Sequence, residues 1–232
     1  YDKYRKKDLE SLLILRESAV EFINYHIRKI EEILLDETRD NEDKILDAHS
    51  VIMATVNHMG LSEKVIRAAE ASVKFALKSF EQSPQFKALE RRIFGKPEQY
   101  LTTHSIAVAF ISVAILKNTS WDTPETRNKL VLAAFLHDAT IKDPMLSENL
   151  FAKDSKLLTV KDHPVEVQEI LKNFKTIPPD LDRILLEHHE RPQGTGFPKG
   201  LTGSQIHPLS SVFIFTHDIV DIIFELQRNG GI

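Results

Sequence analysis

The sequence predicts an all-α fold, and three observations carry that expectation. Apolar residues recur at alternating spacings of three and four along extended charged segments. Those segments outlast an ordinary strand and are bounded by Gly or Pro. No pair of short alternating runs joined by a tight turn reads as a hairpin, and no internal repeat or low-complexity tract is present.

The first 80 or so residues read as three helices. Val20, Ile23, Ile27, Ile30 and Leu34 form one apolar stripe, with Glu21, Arg28, Lys29, Glu31 and Glu32 between them. A second helix runs near Ile45 to Met59 and stops at Gly60. A third carries Ile66, Ala69, Val73, Leu77 and Phe80 before Pro84. Packing of the first stripe within the chain is the default, with a homodimer or a partner-protein contact through these helices as the alternative. His26, His49 and His58 have no carboxylates at ligand spacing and read as surface or packing residues.

Beyond residue 85 the texture changes. Gln99 to Lys117 reads as an apolar helix containing His104, and Pro124 to Asp138 as another that ends on a His-Asp pair. Residues 163 to 174 and 180 to 190 give two more helices. Pro192 to Pro208, with Gly194, Gly196, Pro198, Gly200 and Gly203, is a loop. Residues 209 to 227 close the chain with an apolar helix that holds Asp218 and Asp221. The expected division is a helical amino-terminal module over 1–85 and a second domain over 86–232.

Composition bounds the function. The 232 residues are 42% hydrophobic, enough for one large domain or two small ones. A formal charge of -4 gives no bulk attraction to nucleic acid or anionic lipid, so neither is an expected partner. No run approaches the roughly 20 apolar residues of a membrane span, and the first residues carry no signal-peptide pattern, which predicts a cytoplasmic location. Tyr1 in place of an initiator Met fits a chain that comes from a longer protein. The absence of cysteine removes thiolate ligands and thiol nucleophiles together.

The histidines then stand out. His104, the His137-Asp138 pair, His163, the His188-His189 pair and Asp218 are spread over otherwise ordinary helical sequence. A lone histidine on an apolar helix is more often a satisfied core residue. Jointly, one metal cluster explains all of them. Five imidazoles and two carboxylates are too many for a single ion with an open position, so the set suggests two ions of a borderline metal such as iron, manganese or zinc. Adjacent helical residues point about 100° apart, so each pair can converge on one cluster only at a helix end or from beside a pair of ions.

The order His104, Leu136-His137-Asp138, His163-Pro164, His188-His189-Glu190-Arg191, the loop Gly194-Thr195-Gly196-Phe197-Pro198-Lys199-Gly200-Leu201, then Asp218 resembles the bacterial HD-GYP domain, a branch of the HD phosphohydrolase superfamily. The resemblance covers roughly residues 95 to 225. It implies an HD-type helical bundle with a two- or three-metal centre, iron foremost and manganese or zinc as alternatives, hydrolysing cyclic di-GMP in bacterial signalling. It further implies that His104, His137, Asp138 and Asp218 hold one ion and that His163, His188 and His189 hold the other, with Asp138 bridging. Asp138 and Lys142 are then the expected catalytic residues, and Arg191, Gly194, Thr195, Gly196, Phe197 and Lys199 the expected substrate contacts. His207 and His217 match no ligand position and read as structural or surface residues.

Departures from the family pattern matter as much. Phe197 replaces the signature tyrosine and Gln193 the aspartate before the first glycine. Ile141 stands where the family has a phosphate-binding lysine; Lys142, one position later, either substitutes for it or the function is absent. Tyr100 stands where three-metal members carry a glutamate, so two ions are expected. No arginine-rich segment is recognisable in Glu225 to Ile232. The expected function is therefore a dinuclear-metal phosphodiesterase with weak or altered activity on cyclic di-GMP or a related cyclic dinucleotide or other phosphodiester. The alternative is a metal-containing binding or signalling module that has lost turnover. A nucleoside phosphate hydrolase of the wider superfamily is disfavoured by the glycine-rich loop.

Overall fold

The computed structural model describes residues 15–82, 100–141, 161–175 and 177–228. Lys142 lies outside them. Eight α-helices are found among the described residues: α1 (Arg16–Leu35), α2 (Asn41–Met59), α3 (Glu63–Gln82), α4 (Tyr100–Leu116), α5 (Pro124–Leu136), α6 (His163–Leu171), α7 (Leu181–Glu187) and α8 (Pro208–Arg228). The β pairing among the described residues is one isolated antiparallel bridge, between Gln193 and Thr202. The fold is all-α.

Local chemistry sets several boundaries. At the start of α5, Pro124 occupies the first turn and the Thr123 side chain accepts a hydrogen bond from the Thr126 amide at 3.1 Å, which satisfies one of the orphan amides of the helix start. Gly60 ends α2 at φ +76°, a conformation that favours glycine. Tertiary burial decides the rest. In α4 thirteen side chains from Leu101 to Leu116 are buried on all sides, and α5 buries every residue from Leu130 to Leu136. These two helices pack on one another at the centre, with α8 against α4, α7 against α5 and α6 against α7.

Helices α1 to α3 continue the same hydrophobic core. Ile30, Ile45, Ile52, Ile66 and Val73 belong to one cluster with Ile106, Leu132 and Phe213. The α1 stripe packs within the chain: Ile30 is buried and Ile23, Ile27 and Leu34 lie against the core, whereas Val20 is exposed. The buried ring of His49 ties α2 to the centre. Its Nε2 donates to the Phe135 carbonyl at 3.1 Å, which leaves Nδ1 to accept from the Thr102 hydroxyl at 3.3 Å. Burial depresses its pKa to about 4. No helix among the described residues is long and apolar enough to cross a membrane.

Candidate metal centre

Six histidine rings gather where α4, α5, α6, α7 and α8 meet. His137 caps α5, and Asp138 follows in the turn that closes it. His188 caps α7, with His189 in the following turn. Both adjacent pairs thus stand where a helix runs out, and past the helix end the backbone can aim neighbouring side chains at one place. His163 opens α6, and His104 and His217 project from within α4 and α8. Asp138 is buried among them.

The donor atoms fall into two adjoining groups. His104, His137 and His217 form one, and His163, His188 and His189 the other. Within them the His104 and His217 Nε2 atoms lie 3.1 Å apart, and those of His163 and His188 lie 2.9 Å apart. The two groups adjoin: the His137 and His188 ring centroids are 5.2 Å apart. The Asp138 carboxylate faces both groups, with Oδ2 3.2 Å from His137 Nε2 and Oδ1 3.4 Å from His163 Nε2.

These contacts suit a metal better than a hydrogen-bond network. A carbonyl can only accept, so the Nδ1 atoms of His137 and His188, at 2.9 and 2.6 Å from the Ala134 and Leu185 carbonyls, carry protons. Their Nε2 lone pairs then point into the cluster. His137 Nε2, His104 Nδ1 and His217 Nδ1 are buried without a hydrogen bond, although each stands within 3.5 Å of a carboxylate oxygen. Two donors each about 2.1 Å from one ion lie about 3.0 to 3.4 Å apart, which is the spacing seen here.

Electrostatics prepare the same ligand state. Burial, helped by the neighbouring His217, pushes His104 down to about 3. Burial and the surrounding imidazoles hold His188 and His189 well below the ordinary histidine value. Burial opposes ionisation of Asp138, but His137, His163 and His104 outweigh it and hold the carboxyl well below its ordinary range. For His104, His188, His189 and Asp138 these are the protonation states that metal binding needs; at His217 burial is outweighed by the Asp221 carboxylate, which raises its pKa.

Two positions depart from the sequence reading. His217, expected to be structural or on the surface, is buried beside His104 and His137. Asp218, expected beside His104 and His137, turns one helical step away and pairs with Arg191 at 2.7 Å. Its own neighbours among possible donors are His217 and Asp221. The signal was present in α8: Ser210, Phe213, His217 and Val220 share the buried stripe at spacings of three and four, and position 218 falls about 100° off it. Asp221, one turn after His217, has its Oδ2 3.2 Å from His217 Nδ1 and its Oδ1 3.5 Å from His104 Nδ1. His207 stays local, its amide donating to Glu187 Oε2 at 2.9 Å ahead of α8.

The glycine-rich loop folds back over the second group. Buried Glu190 organises it: its two oxygens accept from the Lys199 and Leu201 amides at 2.7 and 2.8 Å. Gly196 passes so close to the Glu190–Arg191 backbone that an added Cβ would meet Arg191 N at 2.3 Å. The Phe197 amide donates to the His189 carbonyl, and the Phe197 ring stacks on the His189 ring at 4.6 Å. Thr195 and Lys199 are exposed on this loop, and Gly194 turns at φ +76°. Ile141 belongs to the hydrophobic core, and the Tyr100 ring stacks on His104.

A family model described as HD domain matches residues 82–221, a span that holds both histidine groups, Asp138 and the loop. The chain belongs to the HD domain family. Over 116 residues, 49% of the chain, this HD domain is 30% identical to a cyclic di-GMP phosphodiesterase of Pseudomonas aeruginosa, of which the match spans 28%. Its fold resembles that of an HDG"Y"P protein from Bdellovibrio bacteriovorus, with a TM-score of 0.60 and 20% identity over 90% of this chain and 70% of that one.

Proposed function

We propose that this HD domain is a two-metal phosphodiesterase for a cyclic dinucleotide such as cyclic di-GMP, with low turnover. The observation that carries the reading is the Asp138 carboxylate, one oxygen facing His137 of the first histidine group and the other facing His163 of the second. A carboxylate so placed can bridge two ions. His104, His137 and His217 would hold one and His163, His188 and His189 the other. When bound, such a pair polarises a phosphoryl oxygen and lowers the pKa of a bound water to about 7.

The chain's own groups would handle the rest of the substrate. Phe197, stacked on His189, gives a flat apolar wall beside the second group. The Lys161 ammonium lies 6.0 Å from the Phe197 ring centroid and adds a cation to that wall. Arg191 is held in place by its own ion pair with Asp218 and by the Glu190 carbonyl, which accepts from it at 3.0 Å. Neither Phe197 nor Ile141 offers a charge or a hydroxyl to phosphate. A lost donor of this kind typically costs 10²–10³ in rate, which supports weak turnover.

The test pairs metal analysis with hydrolysis of cyclic di-GMP and of bis(p-nitrophenyl) phosphate, on protein purified anaerobically. Cleavage of the activated diester with slow cleavage of cyclic di-GMP is the expected result, in protein carrying about two iron, manganese or zinc ions per chain. Ordinary enzymatic rates on cyclic di-GMP would overturn the weak-turnover reading. No cleavage of either substrate with both positions filled would leave a metal-containing binding module.

A further inference from the structure

The amino-terminal half of α1 has little of the chain to rest on. From Leu15 to Lys29 none of its described side chains is buried, and the first that is, Ile30, comes well into the helix. Val20, Phe22 and Tyr25 are exposed on these turns, with the acidic Glu17 and Glu21 among them. Isolated helices below roughly 12–15 residues are marginal in water, because helices draw most of their stability from a packed face. A partner surface would supply that face.

The other half of α1 offers a complement. With α3 it forms a groove of about 460 Å³ in which Ile27, Leu34 and Ala68 are apolar and Arg28, Lys64 and Arg67 stand against one carboxylate, Glu31. The cations are only lightly engaged. Lys64 donates to the neutral Asn24 Oδ1 at 2.7 Å, and Arg67 reaches Glu63 at 3.7 Å in a mostly exposed pair. A basic groove on a chain of net charge -4 is a local feature that suits an acidic helix.

The acidic half and the groove lie on one helix face. Glu17, Val20, Asn24, Ile27, Glu31 and Leu34 follow at spacings of three and four, so the α1 wall of the groove continues into the acidic turns. Two copies paired along this face with their α1 helices antiparallel place the acidic half of each in the groove of the other, and the two contacts are equivalent, as a two-fold axis requires. A parallel pairing would set acid against acid. We propose that this face is the interface of a homodimer, in which Glu17 and Glu21 of each copy meet Arg28, Lys64 and Arg67 of the other.

Sedimentation velocity of the full chain tests it, with circular dichroism as the check that each variant folds. Wild type should be a dimer that loosens as salt rises, since its charges are close to solvent. One variant, Glu17→Arg with Glu21→Arg, makes both halves of α1 basic on this face; the other, Arg28→Glu with Arg67→Glu, makes both acidic. Each alone should dimerise at least about 100-fold more weakly, because like charges are then opposed at both contacts. An equimolar mixture of the two should dimerise again, since a basic half meets an acidic groove at one contact and an acidic half a basic groove at the other. A mixture that stays monomeric overturns the proposal. So does a dimer that neither variant weakens, which would place the interface elsewhere, and so does a wild-type chain that is monomeric at high concentration, which would leave the groove to an acidic helix of another protein.

Discussion

Arg191 and Asp218 form a 2.7 Å ion pair beside the histidine cluster. Burial raises the Asp218 pKa while Arg191 works against that rise, and the side chain keeps about a third of its exposure. Asp218→Asn should therefore leave bound metal unchanged. Asp138→Ala should lose most of it, because in the proposed two-metal centre both ions would share that carboxylate, which faces both histidine groups. Elemental analysis of the two purified variants checks the contrast; equal losses would restore Asp218 as a ligand.

Gly196→Ala tests the loop. The new Cβ would meet Arg191 N at 2.3 Å and Glu190 Cα at 2.4 Å, and both are backbone atoms that cannot step aside. Overpacking of this kind costs about 1–3 kcal/mol. At this chain length that is a fall in Tm of about 2–12 °C. Differential scanning fluorimetry of the metal-free protein reads it, and a melting point within a degree of wild type would show that the loop does not hold this close approach.

Phe197→Tyr and Ile141→Lys would each restore a family residue, and their expected outcomes are opposite. Phe197 lies half-buried on His189, so a tyrosine ring can keep the stack and add a hydroxyl. Ile141 is buried in the core, where an ammonium without a partner is costly to desolvate. Cyclic di-GMP turnover should rise in the first variant with stability unchanged. The second should melt several degrees lower without a gain in turnover. A stable and more active Ile141→Lys protein would mean that this side chain reaches the site.

His49 predicts an acid limit to stability. Burial places its folded pKa near 4, below the ordinary 6.5. Its contribution is thus complete above pH 6.5 and falls as pH drops from 6.5 towards 4, because the unfolded chain takes up a proton that the folded one refuses. The full effect is about 3 kcal/mol. Urea unfolding of metal-free protein should show a lower midpoint at pH 5 than at pH 7.5, with a smaller difference in His49→Gln. An equal difference would remove His49 as a cause. Because His49 also bonds across to α4 and α5, a chain starting at Gln85 should be insoluble or metal-free.

The sequence by itself determined the helices and most of the cluster. Spacings of three and four placed α1, α2 and α3, since a helix that buries one face must repeat at 3.6 residues. The His137-Asp138 and His188-His189 pairs pointed to helix ends or to a pair of ions, because adjacent helical side chains point about 100° apart. What the tertiary structure alone decided was the rotation of α8. Residues 217 and 218 are both acceptable ligands in a linear reading, and the choice between them depends on which face of α8 packs against α4. Burying Phe213 and Val220 there turns His217 inward and leaves Asp218 to Arg191. Likewise Ile141 stands one turn after Asp138 in the chain, yet only the packing of the bundle shows that it fills the core instead of facing a phosphate. A side chain's type is local information, whereas its direction is set by the apolar area that the neighbouring helices bury.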